Sequence, residues 1–167
     1  AALLAAGALL ATKTLSFSEA GEAIDFSVIL LIAAAFGIGE AMQSTGLAET
    51  LASGLLDVFD GWGDLGIILG LVLATTLLTE VITNNAAVVV VFPLALAVAF
   101  SAGLDPRLMA MTVAVVASSS FLTPMGYQTN TMVYGPGGYK FSDYVRAGLP
   151  LNITVAIAVT LTAWQLS

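Results

Sequence analysis

A group of polar residues interrupts a long apolar stretch of this 167-residue sequence. LLTEVITNNAAVVVVFP, residues 77–93, contains Glu80, two threonines and the adjacent pair Asn84-Asn85. Burying such groups without hydrogen-bond partners costs free energy, so a chain keeps them where they have partners or bind a ligand. Carboxylate, hydroxyl and amide oxygens bind hard cations, whereas backbone and amide N–H groups bind anions.

A second polar segment, MGYQTN at residues 125–130, follows another apolar run and suggests a second break in a helix. Where a helix breaks inside a membrane, the end of the first arm offers free carbonyls and the start of the second offers free N–H groups. The first end suits a cation and the second suits an anion. The candidate substrate-binding residues in the two segments are Asn84, Asn85, Gln128, Thr129 and Asn130.

Composition identifies lipid as the solvent for most of the chain. Hydrophobic residues make up 59% of the sequence and charged residues 9%, against roughly 25% charged residues in ordinary soluble domains. The sequence contains neither Cys nor His, which excludes disulfides, thiolate catalysis and the usual zinc and copper sites. It has no basic patch for nucleic acid and no nucleophile–base pair, so we do not expect an enzyme.

Charged and turn residues divide the sequence into blocks that predict an all-α integral membrane protein. Residues 1–26 predict the end of a membrane helix that begins before Ala1, then an interfacial amphipathic helix. The unit over 27–167 is predicted to contain a span at 27–46, a surface helix at 47–64, a hairpin at 65–101, a broken helix at 107–139 and a final span at 149–166.

The hairpin prediction rests on length. About 36 apolar residues over 65–101 would form a helix of roughly 54 Å, and a hydrocarbon core is about 30 Å thick. Divided at Asn84-Asn85, each arm reaches roughly 22–27 Å, slightly short of a full crossing. These lengths favour a re-entrant helical hairpin that enters and leaves by one face. Two tilted full spans joined by a tight turn are the alternative.

The positions of Lys and Arg predict an orientation. If the hairpin returns to its own side, Lys13, Lys140 and Arg146 share one face and Arg107 lies on the other. The positive-inside rule then places the first face in the cytoplasm. We therefore expect a protein of the plasma (inner) membrane whose hairpin opens to the outside and whose C-terminus is external.

Several polar residues allow two interpretations. Polar side chains between membrane helices form hydrogen bonds worth about 0.6 kcal/mol on average, and the serines at 118–120 fit such a packing role. Two adjacent amides at a chain break exceed what packing requires, so Asn84 and Asn85 favour binding. Glu80 fits a structural brace and a coupling group equally, because a carboxylate inside a membrane needs a partner or water.

Two stretches resemble the divalent anion–sodium symporter family, the sodium-coupled sulfate and dicarboxylate transporters. TEVITNNAAVVVVFP, residues 79–93, is similar to the family's second hairpin, whose tip carries a Ser-Asn-Thr triplet. SFLTPMGYQTNTMVYGPGGYKFSDYVRAGLPLNI, residues 120–153, is similar to its interrupted helix and the segment that follows. The likeness runs through most of residues 13–167, with the elements in the same order.

The resemblance implies two inverted repeats, each with one re-entrant hairpin and one broken helix, and this chain matches the second repeat. It implies an anion bound by Asn84, Asn85 and the segment Gln128-Thr129. The implied sodium ligands are the Thr79 side chain, the Ile82 and Gly126 carbonyls and Asn84. Two departures prevent a transfer of the substrate, because the triplet reads Thr-Asn-Asn and the loop reads Tyr-Gln-Thr-Asn where many relatives have Thr-Pro-Pro-Asn.

The expected function is the C-terminal half of a sodium-coupled secondary transporter for a divalent anion, sulfate or dicarboxylate, with elevator-like alternating access. Its expected partners are the N-terminal repeat of the same transporter, the anion, sodium, the lipid bilayer and a second copy in a homodimer. The alternative is a non-transporting membrane assembly module or an antiparallel homodimer of transporter halves.

Overall fold

In the part of the chain that the structure describes, most helices are apolar, and the segment between Ala117 and Gln128 forms a long loop. The computed structural model describes residues 2–22, 30, 33–34, 37–38, 40–42 and 44–167. The helices outside 30–45 are α1 (Ala2–Ala11), α2 (Phe17–Glu22), α3 (Leu47–Phe59), α4 (Gly63–Val81), α5 (Asn84–Ala102), α6 (Pro106–Ala117), α7 (Gln128–Tyr134) and α8 (Phe141–Leu166), with a 3₁₀ turn at Asp60–Trp62. The described residues include no strand, which agrees with the predicted all-α class. Of the 20 residues of the span predicted over 27–46, nine lie outside the described residues.

Three of these helices are long and apolar enough to cross a membrane. They are α4, α5 and α8, with 19, 19 and 26 residues, whereas α6 is a shorter apolar helix. Large apolar side chains on their outer surfaces remain exposed, as Leu77, Phe100 and Ile157 do. This is the pattern of helices whose outer faces contact lipid, and it supports an integral membrane protein.

A compact apolar core lies between α3, α4, α5 and α6. Leu71, Val98, Met109 and Val113 are fully buried within it. Helix α4 packs so closely against the end of α3 that a Cβ atom at Gly70 would lie 2.6 Å from the Phe59 ring. The core therefore packs the hairpin formed by α4 and α5 against its neighbours.

The two hairpin arms are longer than the sequence predicted. Each has 19 residues and a length of about 28 Å, so both a re-entrant hairpin and two full crossings fit. The turn consists of Ile82 and Thr83, both in extended conformation. Asn84 and Asn85 therefore lie in the first turn of α5, because Thr83 serves as its N-cap.

The break in the helix predicted over 107–139 begins earlier than predicted. Helix α6 ends at Ala117 and α7 begins at Gln128, so the break covers residues 118–127 instead of 125–130. The hydroxyl groups of Ser118 and Ser119 donate to the carbonyls of Ala114 and Val115 at 2.9 Å. These bonds occupy carbonyls of the last helical turn, and side chains that compete in this way favour a helix end.

The final span begins earlier than predicted as well. The sequence suggested a separate interfacial stretch at 140–148, but α8 runs without interruption from Phe141 to Leu166. The Lys140 N–H donates to Asp143 Oδ2 at 2.8 Å and stabilises the first turn. Pro150 lies inside the helix and removes one backbone donor, which a packed membrane helix tolerates.

Candidate ion-binding site

The end of α4 and the break between α6 and α7 lie against each other. The Thr79 hydroxyl donates to the Ala117 carbonyl at 2.7 Å, and the Ser120 hydroxyl lies 3.2 Å from the Thr79 carbonyl. Thr79 and Ser120 are both buried. These contacts join residues about 40 positions apart, so the first polar segment of the sequence packs against the break that contains the second.

Glu80 is buried at this junction, with 6% of its surface exposed. Both carboxylate oxygens accept hydrogen bonds. Oε1 accepts from Phe121 N at 3.0 Å, Leu122 N at 3.1 Å and Asn152 Nδ2 at 2.7 Å. Oε2 accepts from Thr123 N at 2.9 Å and Ser120 Oγ at 3.0 Å. Three successive backbone N–H groups form a concave nest of the kind that binds anions. Of the two interpretations of Glu80, the contacts support the brace.

A pocket of about 250 Å³ opens on the other side of the hairpin tip. It lies between the start of α5 and the loop before α7. Its lining residues are Thr83, Asn84, Asn85, Met125, Gly126 and Thr131. The Asn84 N–H donates to the Gly126 carbonyl at 3.3 Å and joins the two parts of this lining. The lining residues that the structure describes carry no ionisable side chain.

The local geometry of the tip follows from helix capping. Thr83 accepts a hydrogen bond from the Ala86 N–H at 3.4 Å, and Asn84 Oδ1 accepts one from the Asn85 N–H at 2.8 Å. Asn85 and Thr83 are exposed and Asn84 is partly exposed. The pocket thus contains amide groups, hydroxyl groups and the positive end of α5, which suit an anion, and carbonyl oxygens, which suit a hard cation.

The structure brings together only some of the residues predicted to bind sodium. Asn84 and Gly126 line the pocket, and Ile82 lies in the adjoining turn. Thr79 lies on the buried side of the tip, where its hydroxyl already donates to Ala117. Its carbonyl would lie 2.6 Å from a Cβ atom at Gly126, so the two backbones are nevertheless in close contact.

The three residues of the second segment that were predicted to bind substrate have different surroundings. The Asn130 Nδ2 group donates to the carbonyls of Ser120 at 3.1 Å and Thr123 at 3.3 Å, so this amide is bound to the loop. Thr129 is exposed in the first turn of α7. Gln128 begins the same helix, but its side chain lies outside the part that the structure describes.

Helix α8 supports the loop from behind. A Cβ atom at Gly148 would collide with the Phe121 carbonyl and lie 3.0 Å from the Leu122 nitrogen. The Tyr144 hydroxyl donates to the Asn130 carbonyl at 2.9 Å. A glycine is required at position 148 because the loop backbone passes directly over the helix.

Sequence reasoning missed several residues that shape the site. Met125 and Thr131 line the pocket, and Asn152 and Thr123 bind Glu80. A carboxylate in an apolar stretch indicates that the folded protein supplies hydrogen-bond partners for it. The sequence could not identify these partners, because a residue such as Asn152 lies 72 positions away.

Comparison with known proteins decides the family. The model of the citrate transporter family matches residues 1–166. The chain belongs to the citrate transporter family. An uncharacterized transporter of Synechocystis is 43% identical over 92% of this chain and 25% of its own length.

Some relatives of this member of the citrate transporter family have names that state a substrate, as the following two do. Sodium/sulfate cotransporter 1 of Chlamydomonas reinhardtii is 33% identical over 93% of this chain and 18% of its own length. Sodium-dependent high-affinity dicarboxylate transporter 2 of Caenorhabditis elegans is 26% identical over 88% of this chain and 27% of its own length. They confirm the resemblance to sodium-coupled sulfate and dicarboxylate transporters. The chain spans about a quarter or less of the length of these relatives.

Proposed function

We propose that the chain belongs to the C-terminal half of a sodium-coupled secondary transporter for a small divalent anion. The observation that carries the proposal is the pocket between the start of α5 and the loop before α7. In it, the N-terminus of α5 and carbonyl oxygens face one space between apolar helices. Discontinuous membrane helices build the ion and substrate sites of secondary transporters in this way.

Sodium and the anion would use different atoms of this pocket. The proposed sodium ligands are oxygens of Thr79, Ile82, Asn84 and Gly126, because sodium is a hard cation. The anion would accept hydrogen bonds from the following residues of the two helix starts: Asn84, Asn85, Gln128, Thr129 and Asn130. Of these, Asn130 would need to exchange the loop carbonyls that its amide now binds.

The absence of charged side chains among the lining residues that the structure describes favours coupling to sodium. These residues include no Lys or Arg, so in this part of the protein a divalent anion would meet only neutral donors and helix-end dipoles. A bound sodium ion would supply the missing positive charge at short range. By linkage, the anion must then raise the affinity for sodium by the same factor.

The remaining architecture is proposed from the relatives and from helix lengths. Helix α6 extends about 18 Å from the turn at Asp105, so the break after it would lie within a hydrocarbon core of about 30 Å. A hairpin whose tip contacts this break would be re-entrant. An N-terminal repeat would complete the site, and a homodimer would carry out elevator-like alternating access.

The proposed setting is the plasma (inner) membrane, with the C-terminus after α8 outside. A reporter fused after Ser167 in the full-length parent tests this orientation. We expect it to react with reagents that do not cross the membrane. Reaction only after the membrane is permeabilised would place the C-terminus in the cytoplasm and reverse the proposed orientation.

Sulfate and dicarboxylates are the proposed substrate classes, because relatives named for both match this chain. The test is uptake of labelled sulfate and succinate by proteoliposomes that contain the full-length parent protein. We expect one of the two to enter with a sodium gradient and neither to enter when choline replaces sodium. Uptake that requires a proton gradient and ignores sodium would contradict the proposed coupling.

A further inference from the structure

Glu80 is a buried carboxylate near the end of α4, and the proposed sodium and anion sites do not use it. We propose that Glu80 is a positioning residue of the ion site. It holds residues 120–123 against the end of α4 and thereby sets the Gly126 carbonyl opposite Asn84. This inference rests on the proposed function, because a positioning role exists only if the pocket binds ions.

The contacts of Glu80 exclude a direct role as a ligand. A carboxylate has about four lone-pair directions, and Glu80 accepts from four N–H groups and one hydroxyl in the described structure. With 6% exposure it has little contact with the pocket side. No acceptor site of the carboxylate is left for a transported cation.

A continuous series of contacts runs from Glu80 to the pocket. The Thr123 hydroxyl donates to the Glu80 carbonyl at 2.9 Å and accepts from the Gly126 N–H at 3.2 Å. The Ser120 hydroxyl, which binds the carboxylate, lies directly against the Gly126 Cα, where a Cβ would collide with it. The Gly126 carbonyl in turn accepts from the Asn84 N–H. Displacement of the 120–123 segment would therefore move a proposed sodium ligand.

The orientation of the Asn152 side chain gives independent evidence for the brace. Its Nδ2 group donates to Glu80, while its Oδ1 atom is buried and has no hydrogen-bond partner among the described residues. An unpaired buried acceptor is costly. The opposite amide orientation would turn an oxygen toward the carboxylate and be repulsive, so the side chain is oriented for Glu80 alone.

The test measures sodium binding without requiring transport. Met125 is 60% exposed and lines the pocket without a proposed ligand role. The reporter is Met125→Cys in the full-length parent, with any other cysteines replaced. A polar thiol reagent modifies this cysteine, and bound sodium should slow the reaction. The sodium concentration that gives half of the maximal protection is the midpoint. Glu80→Gln turns an amide NH₂ toward a backbone donor. We expect the midpoint to rise about 10- to 100-fold, as when a residue that orients a metal ligand is lost.

Two further variants keep the inference testable if Glu80→Gln does not fold. Asn152→Ala removes one of the five donors to Glu80, so the midpoint should rise in the same direction by a smaller factor. Thr160→Val is the matched control, because Thr160 is a buried residue of the same helix whose hydroxyl has no partner among the described residues. Its midpoint should equal that of the parent.

Each contrary result has a distinct meaning. Equal midpoints in the parent and in folded Glu80→Gln overturn the positioning role, and so does an unchanged midpoint in Asn152→Ala. If Glu80→Gln changes the number of sodium ions taken up per anion, the positioning role is overturned as well, because Glu80 would then be a coupling group. If the parent reporter shows no sodium protection at all, the proposed function fails, and the inference fails with it.

Discussion

The two sides of the hairpin tip differ in how their polar groups are satisfied. On the Glu80 side, both carboxylate oxygens have protein donors and the residue is buried. On the Asn84 side, amides and hydroxyls that lie only a few positions further along line an open pocket. The first set of polar groups is enclosed by the protein and serves structure, whereas the second set borders space in which a ligand could bind. One turn of the chain does both.

The largest effect is expected on the closed side of the tip. Glu80→Ala leaves several buried donors without an acceptor, which should lower the free energy of unfolding by about 3 kcal/mol or more. Denaturant unfolding of the full-length parent in detergent measures it. Glu49→Ala, which removes an exposed carboxylate of α3, should change stability by less than about 0.5 kcal/mol. Equal stability of the two variants would contradict the brace.

The next effect concerns the contact that joins the two sides. Gly126→Ala places a Cβ against the Ser120 hydroxyl and 2.6 Å from the Thr79 carbonyl, so the loop must move away from the tip. We expect the sodium midpoint of uptake to rise about tenfold. Gly135→Ala is the matched control, because nothing lies within 4 Å of its Cβ position. A similar sodium midpoint in both variants would show that the position of the loop does not affect the proposed sodium site.

A smaller effect should distinguish Thr79 from its neighbour one turn earlier. Thr79→Val and Thr75→Val each remove one buried hydroxyl that donates to a backbone carbonyl, at a cost of about 1 kcal/mol each. Sodium affinity from uptake titrations should fall in the Thr79 variant alone. If both variants keep the parent affinity, Thr79 belongs to the closed side only and is not a sodium ligand.

The smallest effect is expected at the N-cap of α5. Thr83→Ala removes the acceptor of the Ala86 N–H and should lower stability by about 1 kcal/mol. Thr83→Ser keeps the acceptor and should match the parent in the same unfolding assay. A full effect in Thr83→Ser would mean that the methyl group, rather than the cap, stabilises the tip.

The long helices were predictable because their signal is local. Continuous apolar runs bounded by turn residues define α4, α5 and α8, and the break after α6 was expected from polar residues and Gly126. The predicted division at Asn84-Asn85 coincides with the first turn of α5. Thr83 lies just outside this helix because its hydroxyl makes it the N-cap.

The position of the break was not predictable, because its cause is distant in the sequence. The backbone of residues 121–123 leaves the helix to bind the Glu80 carboxylate, about 40 positions earlier. Asn152 joins the same carboxylate from α8. A single sequence indicates that Glu80 needs partners, but only the packing of three helices selects them.

The central claim is that the open side of the tip binds the ions, and Asn84 tests it most directly. Asn84→Ala and the Gly135→Ala control are compared for uptake of labelled sulfate and succinate into proteoliposomes, in sodium and in choline. We expect the Asn84 variant to fold normally and lose sodium-dependent uptake, while the control keeps it. Unchanged uptake in Asn84→Ala would show that the amides at the tip serve packing, and would contradict the account.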